Sequence, residues 1–169
     1  GEGDPPYPES STSPLSGGWP PLDTSCGLTV SVSNDLIYGY GIDFSGIGQP
    51  PGHMTGSWGS SFNPVNSFGF VYIYKHDTLH HSINQYMETL DSVTSAIKGY
   101  VRIKDTQLSN DFVLLSIFDV SALDVNFLGI SSFTDASNFR LNTQVISTAH
   151  PTFEPFYDCS YLQVSFVTT

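Results

Sequence analysis

Three histidines and one aspartate fall within six residues, His76-Asp77-Thr78-Leu79-His80-His81. Imidazole nitrogen and carboxylate oxygen are ligands that suit zinc or nickel. Around a symmetry axis, such side chains from several copies could share one ion. The spacing matches no defined metal motif, however, and the same residues suit a polar strand-to-helix connection. The metal assignment is therefore none, with His76, His80 and His81 as the weak candidates. Carboxylate pairs such as Asp119 with Asp124, or Glu154 with Asp158, have the chemistry of glycoside hydrolysis. Nothing sets their separation, and a solvated acidic face explains them equally well. Gly56-Ser57-Trp58-Gly59 lacks the strand-to-helix context and spacing of a nucleophile elbow. The glycine-rich stretch 41–61 lacks the lysine and hydroxyl residue of a phosphate-binding loop. These residues point to a non-enzymatic chain that needs no cofactor.

Aromatic residues offer a different chemistry. Trp58, Tyr38, Tyr40 and Tyr157 lie in or beside predicted loops, where ring faces can stack on sugars or form rigid interface contacts. They are the binding candidates; the competing expectation is that they cover the ends of a β-fold. Cys26 and Cys159 head the first and last predicted strands. A disulfide between them requires Cα atoms within about 7 Å; two free thiols are the alternative.

The elements that position these residues follow from composition and patterning. At 169 residues the chain suits one domain. Only 12% of residues are charged, about half the usual ~25%, while 14% are aromatic, too many for a disordered chain. Four Ala, four Glu, three Lys and two Arg are too few strong helix formers for a bundle. A net charge of -11 opposes a phosphate-binding surface, so no nucleic-acid partner is expected. Lys98, Arg102 and Lys104 form the one local basic cluster. No apolar run approaches the roughly 20 residues of a membrane-spanning helix, and no membrane insertion is expected. The opening Gly1-Glu2-Gly3 has no apolar leader core, which reads as a processed product or a piece of a longer chain.

Residues 1–25 hold six of the 11 prolines and read as an extended arm. Residues 26–169 read as one β-domain. Leu28, Val30 and Val32 alternate with polar residues, and Leu36 to Tyr40 returns as a second strand. Residues 41–61 read as a long irregular loop. Phe68, Phe70, Tyr72 and Tyr74 alternate with Gly69, Val71 and Ile73, a strand apolar on both faces. Such a strand is either central or at a subunit contact. Ser82 to Gln85 has the form of a capping box ahead of a short helix carrying Ile83, Tyr86, Met87 and Leu90. Further strands are expected over 97–104, 112–118, 125–132, around Phe139 to Val145, and over 161–167. The fold class is all-β: an antiparallel, jelly-roll-like β-sandwich with one short helix. The 41–61 and 76–81 loops are the expected interaction surfaces.

Several segments together resemble a repeat unit of bacteriophage virion proteins. They are Phe70 to Asp77, Ile83 to Met87, Ser95 to Ile103 with its Ile97-Lys98-Gly99-Tyr100-Val101-Arg102 core, Phe112 to Ile117, and Leu162 to Phe166. That unit occurs in tail fibres and collagen-like structural proteins, especially of marine and cyanobacterial phages. The resemblance covers roughly residues 61–167 and departs from the pattern at Val125 to Ser132, Asn138 to Ala149 and the Pro151–Pro155 loop. It implies a structural domain of a virion fibre, spike or head decoration, located on the particle surface. It also implies self-association, with a trimer favoured, contacts to other virion proteins, and adhesion to host-surface glycan. Assembly in a reducing cytoplasm would leave Cys26 and Cys159 as thiols. The alternative from another class is a secreted carbohydrate-binding module.

Overall fold

The computed structural model describes residues 35–41, 49–56, 65–106, 112–149 and 161–168. Eight strands and one helix follow in the order β1 (Leu36–Tyr40), β2 (His53–Gly56), β3 (Phe68–Tyr74), α1 (Asn84–Ser92), β4 (Gly99–Asp105), β5 (Phe112–Leu123), β6 (Gly129–Ile130), β7 (Asn138–Thr148) and β8 (Tyr161–Thr168). The all-β class with one short helix holds. The arm 1–25, the strand expected from Cys26, and the 150–157 loop lie outside the described residues.

The sandwich expectation is corrected. The strands form one sheet in the order β4-β8-β1-β2-β3-β7-β5-β6, and β4 also pairs with β5. That pairing closes seven strands into a barrel, with β6 an appendage on β5. Closure is possible because β5 is 12 residues long and uses both edges. Phe112 to Ile117 bonds to β4 on one side, while Val113 to Leu123 bonds to β7 on the other. Register shifts at Leu114/Leu115 and Ile117/Asp119 bend this strand. Such bulges add the curl that a closed sheet needs. One pair, β1 with β2, is parallel, which a purely antiparallel jelly roll would not contain.

The alternation in sequence sets the inside. Val71 and Ile73 of β3, Val101 and Ile103 of β4, Leu115 and Ile117 of β5, Phe139 and Leu141 of β7, and Leu162 and Val164 of β8 are buried in one core. Their strand neighbours face outward, following the two-residue period of a strand. The expectation that β3 is apolar on both faces is met in residue type. Val71 and Ile73 are inside, while Phe68 and Phe70 are exposed outside.

Helix α1 packs against β5 and β8 and inserts Met87 and Leu90 into the core, with Ile83 just ahead of it. The capping-box expectation is corrected. The helix starts one residue later than predicted, with Ile83 in the cap position and no side-chain cap. Ser82 is held instead in a bridge with His76, and its Oγ accepts from the Asn84 amide at 3.2 Å. Asn84 in turn donates from Nδ2 to the carbonyl of Phe133 at 2.9 Å. At the other end, Lys98 Nζ donates to the Val93 carbonyl at 2.7 Å, which satisfies an orphan acceptor of the helix terminus. None of the described helices is long and apolar enough to cross a membrane.

Two other expectations change. Only Gly129–Ile130 of the predicted 125–132 strand is a strand. Asp124 Oδ1 accepts from the amides of Asn126 and Leu128, at 2.8 and 2.9 Å, which folds residues 124–128 into a turn. Conversely, part of the predicted 41–61 loop is a strand, β2, whose Met54 is fully buried.

Gly99 lies where β4 meets Ile117 of β5 and Thr168 of β8, directly beneath α1. A Cβ there would overlap the Leu90 side chain and the Val167 carbonyl oxygen. Gly99→Ala should therefore cost about 2 kcal/mol or more, read as a fall of roughly 5 °C in thermal midpoint. Gly129→Ala, where an added Cβ meets nothing within 4 Å, should stay within about 0.5 kcal/mol of the parent.

Candidate functional site

The His/Asp cluster joins β3 to α1. Its 77–81 segment is a three-residue hairpin loop: Asp77 donates from its amide to the His81 carbonyl at 3.0 Å, His80 donates back to the Asp77 carbonyl at 3.2 Å, and His80 takes a positive φ of 67°. A positive φ in the last loop residue is what a type I turn closed by a bulge requires. Asp77 Oδ1 accepts from the amides of Leu79 and His81, at 3.0 and 2.7 Å. The 124–128 turn repeats the arrangement, with Asp124 in the place of Asp77 and Phe127 at φ 67° in the place of His80. Asp124 thus has a local structural task.

Asp77 differs in being completely buried and in using its second oxygen. Oδ2 accepts from the Ile37 amide at 2.8 Å and lies 2.9 Å from His81 Nδ1. Thr78 completes the contact, donating to the Ile37 carbonyl from its amide at 2.8 Å and from Oγ1 at 2.7 Å. Strand β2 reaches β1 only at Gly39 and Tyr40. Asp77 and Thr78 therefore satisfy the β1 edge where β2 is too short. A bare edge would leave buried backbone groups unpaired, at about 1–3 kcal/mol each.

The expectation of an exposed 76–81 loop is corrected on this ground. His76, Asp77 and Thr78 are buried. His76 lies beside the Tyr74 ring at 6.3 Å, and His81 is held on Asp77. Among the described residues, no group of three or more His, Cys, Asp or Glu side chains is arranged to hold a metal. The hydrogen bond to Asp77 raises the pKa of His81 above the usual imidazole value; burial opposes this, and the charges of Asp77 and Asp35 add to it. His80 moves the other way, mainly through burial, with His81 adding to the fall and Asp77 resisting it.

The aromatic candidates separate. Tyr38 and Tyr40 are corrected from binding residues to core residues: both are buried, and Tyr38 donates its hydroxyl to the Tyr74 carbonyl at 2.7 Å. Both belong to β1, whose five residues are all buried, so neither offers a face to a ligand. Trp58, Tyr157, Cys26 and Cys159 lie outside the described residues, as do Glu154 and Asp158. Asp119 is exposed on the outer side of β5.

The aromatic surface that the structure does display comes from strands. Phe68 is 68% exposed and Phe70 41%. Phe118, at the β5 bulge, approaches Phe68 with ring centroids 5.9 Å apart. Phe127 covers Tyr72 at 4.6 Å, and Arg140 of β7 places its guanidinium 5.4 Å from the Phe70 ring. A second aromatic pair, Tyr86 and Phe166 at 5.6 Å, lines a groove between α1 and β8 with Ser82, Gln85, Thr89 and Thr168. The alternating Phe and Tyr of β3 signalled the first surface. Phe118, Phe127 and Arg140 carried no signal, because a bulge, a positive-φ turn and a register across 70 residues bring them there.

No family model matches the chain, and neither do any curated protein or solved structure.

Two measurements test the Asp77 junction. In Asp77→Asn, one carboxylate oxygen becomes an NH2 group facing two N–H donors. Unfolding in denaturant should show a loss of about 3 kcal/mol or more. The His81 contribution should depend on pH. Its folded pKa is raised, so the stabilisation is full below the unfolded value of about 6.5 and is lost as pH rises through the folded value. His80, with a lowered pKa, contributes in the opposite sense: its share is present above about 6.5 and is lost on acidification. The stability gap between the parent and His81→Gln should therefore narrow from about pH 6 to about pH 9. A gap that widens on raising pH would contradict the assigned pairing.

Proposed function

We propose that the chain is a non-enzymatic structural domain of a bacteriophage virion, part of a fibre, spike or head decoration, working in multiple copies. One observation carries this reading. The barrel displays exposed Phe68 and Phe70 on regular strands, backed by packed aromatics. Large apolar side chains grouped on a rigid outer face suit contact with another protein. The His/Asp cluster, by contrast, is spent on joining β1 to the β3–α1 connection.

The likeness to phage virion repeats agrees with this reading. Its segments supply β3, α1, β4, the first half of β5, and β8. Copies repeated on a particle make weak contacts effective by raising local concentration.

A glycan-binding role is the second reading, favoured by the α1–β8 groove. Tyr86, 47% exposed, and Phe166 offer ring faces, with the Gln85 amide and hydroxyls of Ser82 and Thr168 at the rim. Aromatic faces with neutral hydrogen-bonding groups suit sugar rings.

Antibody labelling of purified particles should show the chain at regularly repeated positions on their surface. Particles that lack it would overturn the virion reading. On a glycan array, saturable binding that Tyr86→Ala abolishes would establish the second reading. Binding unaffected by that change would reject the groove.

A further inference from the structure

The outward side of β3, β7 and β5 forms a grid of residues fixed by register. One row runs Phe70–Asn142–Asp119 and the next runs Tyr72–Arg140–Ser121. Phe68 and Ile146, the latter 41% exposed, extend the apolar part. Two polar atoms within this face are shielded from solvent and lack a hydrogen-bond partner: Arg140 Nε and Asn142 Oδ1. Arg140 leans over Phe70, on the β3 side, and makes no salt bridge to the diagonal Asp119. Phe127 adopts its positive φ of 67° where its ring packs on Tyr72.

We infer that this face is a two-fold interface with a second copy of the chain. The charge pattern selects that occupant. Arg140 is one of five Lys and Arg in a chain with 16 acids, and its uncompensated charge sits diagonal to a free carboxylate on the same face. A two-fold contact makes residue i meet j and j meet i. The in-plane axis that bisects the line from Arg140 to Asp119 sets Arg140 against the partner's Asp119, and Asp119 against the partner's Arg140. With strands about 4.8 Å apart and same-side residues about 6.8 Å apart, Phe70 falls within about 2 Å of that axis. The Phe70 rings of the two copies then meet on the axis, about 8 Å to one side of the midpoint between the two charge pairs. This deepens the multi-copy reading above, on which its biological setting rests.

Sedimentation velocity on the full purified chain at micromolar concentrations tests the contact. The parent should sediment as a dimer. Arg140→Asp and Asp119→Arg should each weaken dimerisation at least tenfold, and the double charge swap should restore it. Phe68→Lys, at a position 68% exposed and so tolerant of change, should also weaken the dimer while thermal unfolding stays cooperative. It keeps the test decisive if an Arg140 variant does not fold. A parent that is monomeric throughout, or a dimer or trimer that these substitutions leave unchanged, would overturn the inference. A glycan that saturates this face on a monomeric parent would do the same. A monomeric chain found on particles would sink this interface and leave the virion reading standing. A charge-dependent dimer absent from particles would do the reverse.

Discussion

The buried carboxylate of Asp77 is the junction on which the rest of the barrel depends. Its two oxygens serve different parts of the chain. Oδ1 shapes the hairpin loop through the Leu79 and His81 amides, and Oδ2 fastens that loop to the Ile37 amide forty residues earlier. Thr78 adds two donors to the Ile37 carbonyl. One side chain therefore decides a local turn and a long-range contact together. A carboxylate suits this place because it is purely an acceptor, and each partner facing it is a donor. The loop stands in for the part of β2 that is missing, and it delivers the chain into Ile83 and α1 with little freedom of direction.

The comparison between Asp77 and Asp124 separates turn chemistry from fold chemistry. Both use one oxygen to accept from amides two and four residues ahead, and both are followed three residues later by a positive φ. Only Asp77 has a second strand within reach. The Asp124 loop instead opens onto the outer face, where Phe127 lies on Tyr72. One local device therefore serves the inside of the barrel in one case and its outside in the other. The bulges in β5 work similarly: they let the strand change partners, and they bring Phe118 out beside Phe68.

Much of the β-framework was legible because a half-buried strand repeats every two residues. Val101 and Ile103, Phe139 and Leu141, and Leu162 and Val164 each announced an inward face, and each is buried. The helix was legible from Ile83, Met87 and Leu90, although its start was not. Ser82 has the right type for a cap, but its bridge to His76 commits its backbone to an extended shape. Closure was not legible, since it rests on β5 pairing at both edges, and pairing partners leave no local mark. The His/Asp cluster misled for a related reason. Ligand-type residues look alike in sequence whether they face solvent or a buried strand edge, and only the Ile37 contact distinguishes the two. Tyr38 and Tyr40 looked like loop aromatics because β1 is short, yet both of its faces are covered.

The place of β8 has a consequence for the order in which the molecule can form. It lies between β4 and β1, bonded to both, and it is the latest described segment of the chain. While the polypeptide is being synthesised, the cylinder lacks one stave until residues 161–168 are released. Until then β1 and β4 each present a bare edge, and α1 has no Phe166 against Tyr86. Loop-closure entropy must be met before these distant pairings contribute, which places folding in the slow range of all-β domains, milliseconds to seconds. A barrel still missing that strand has the kind of unpaired edges that promote aggregation. Gln163, Ser165 and Thr168 interrupt the apolar residues of β8, which limits that hazard in the strand that arrives last.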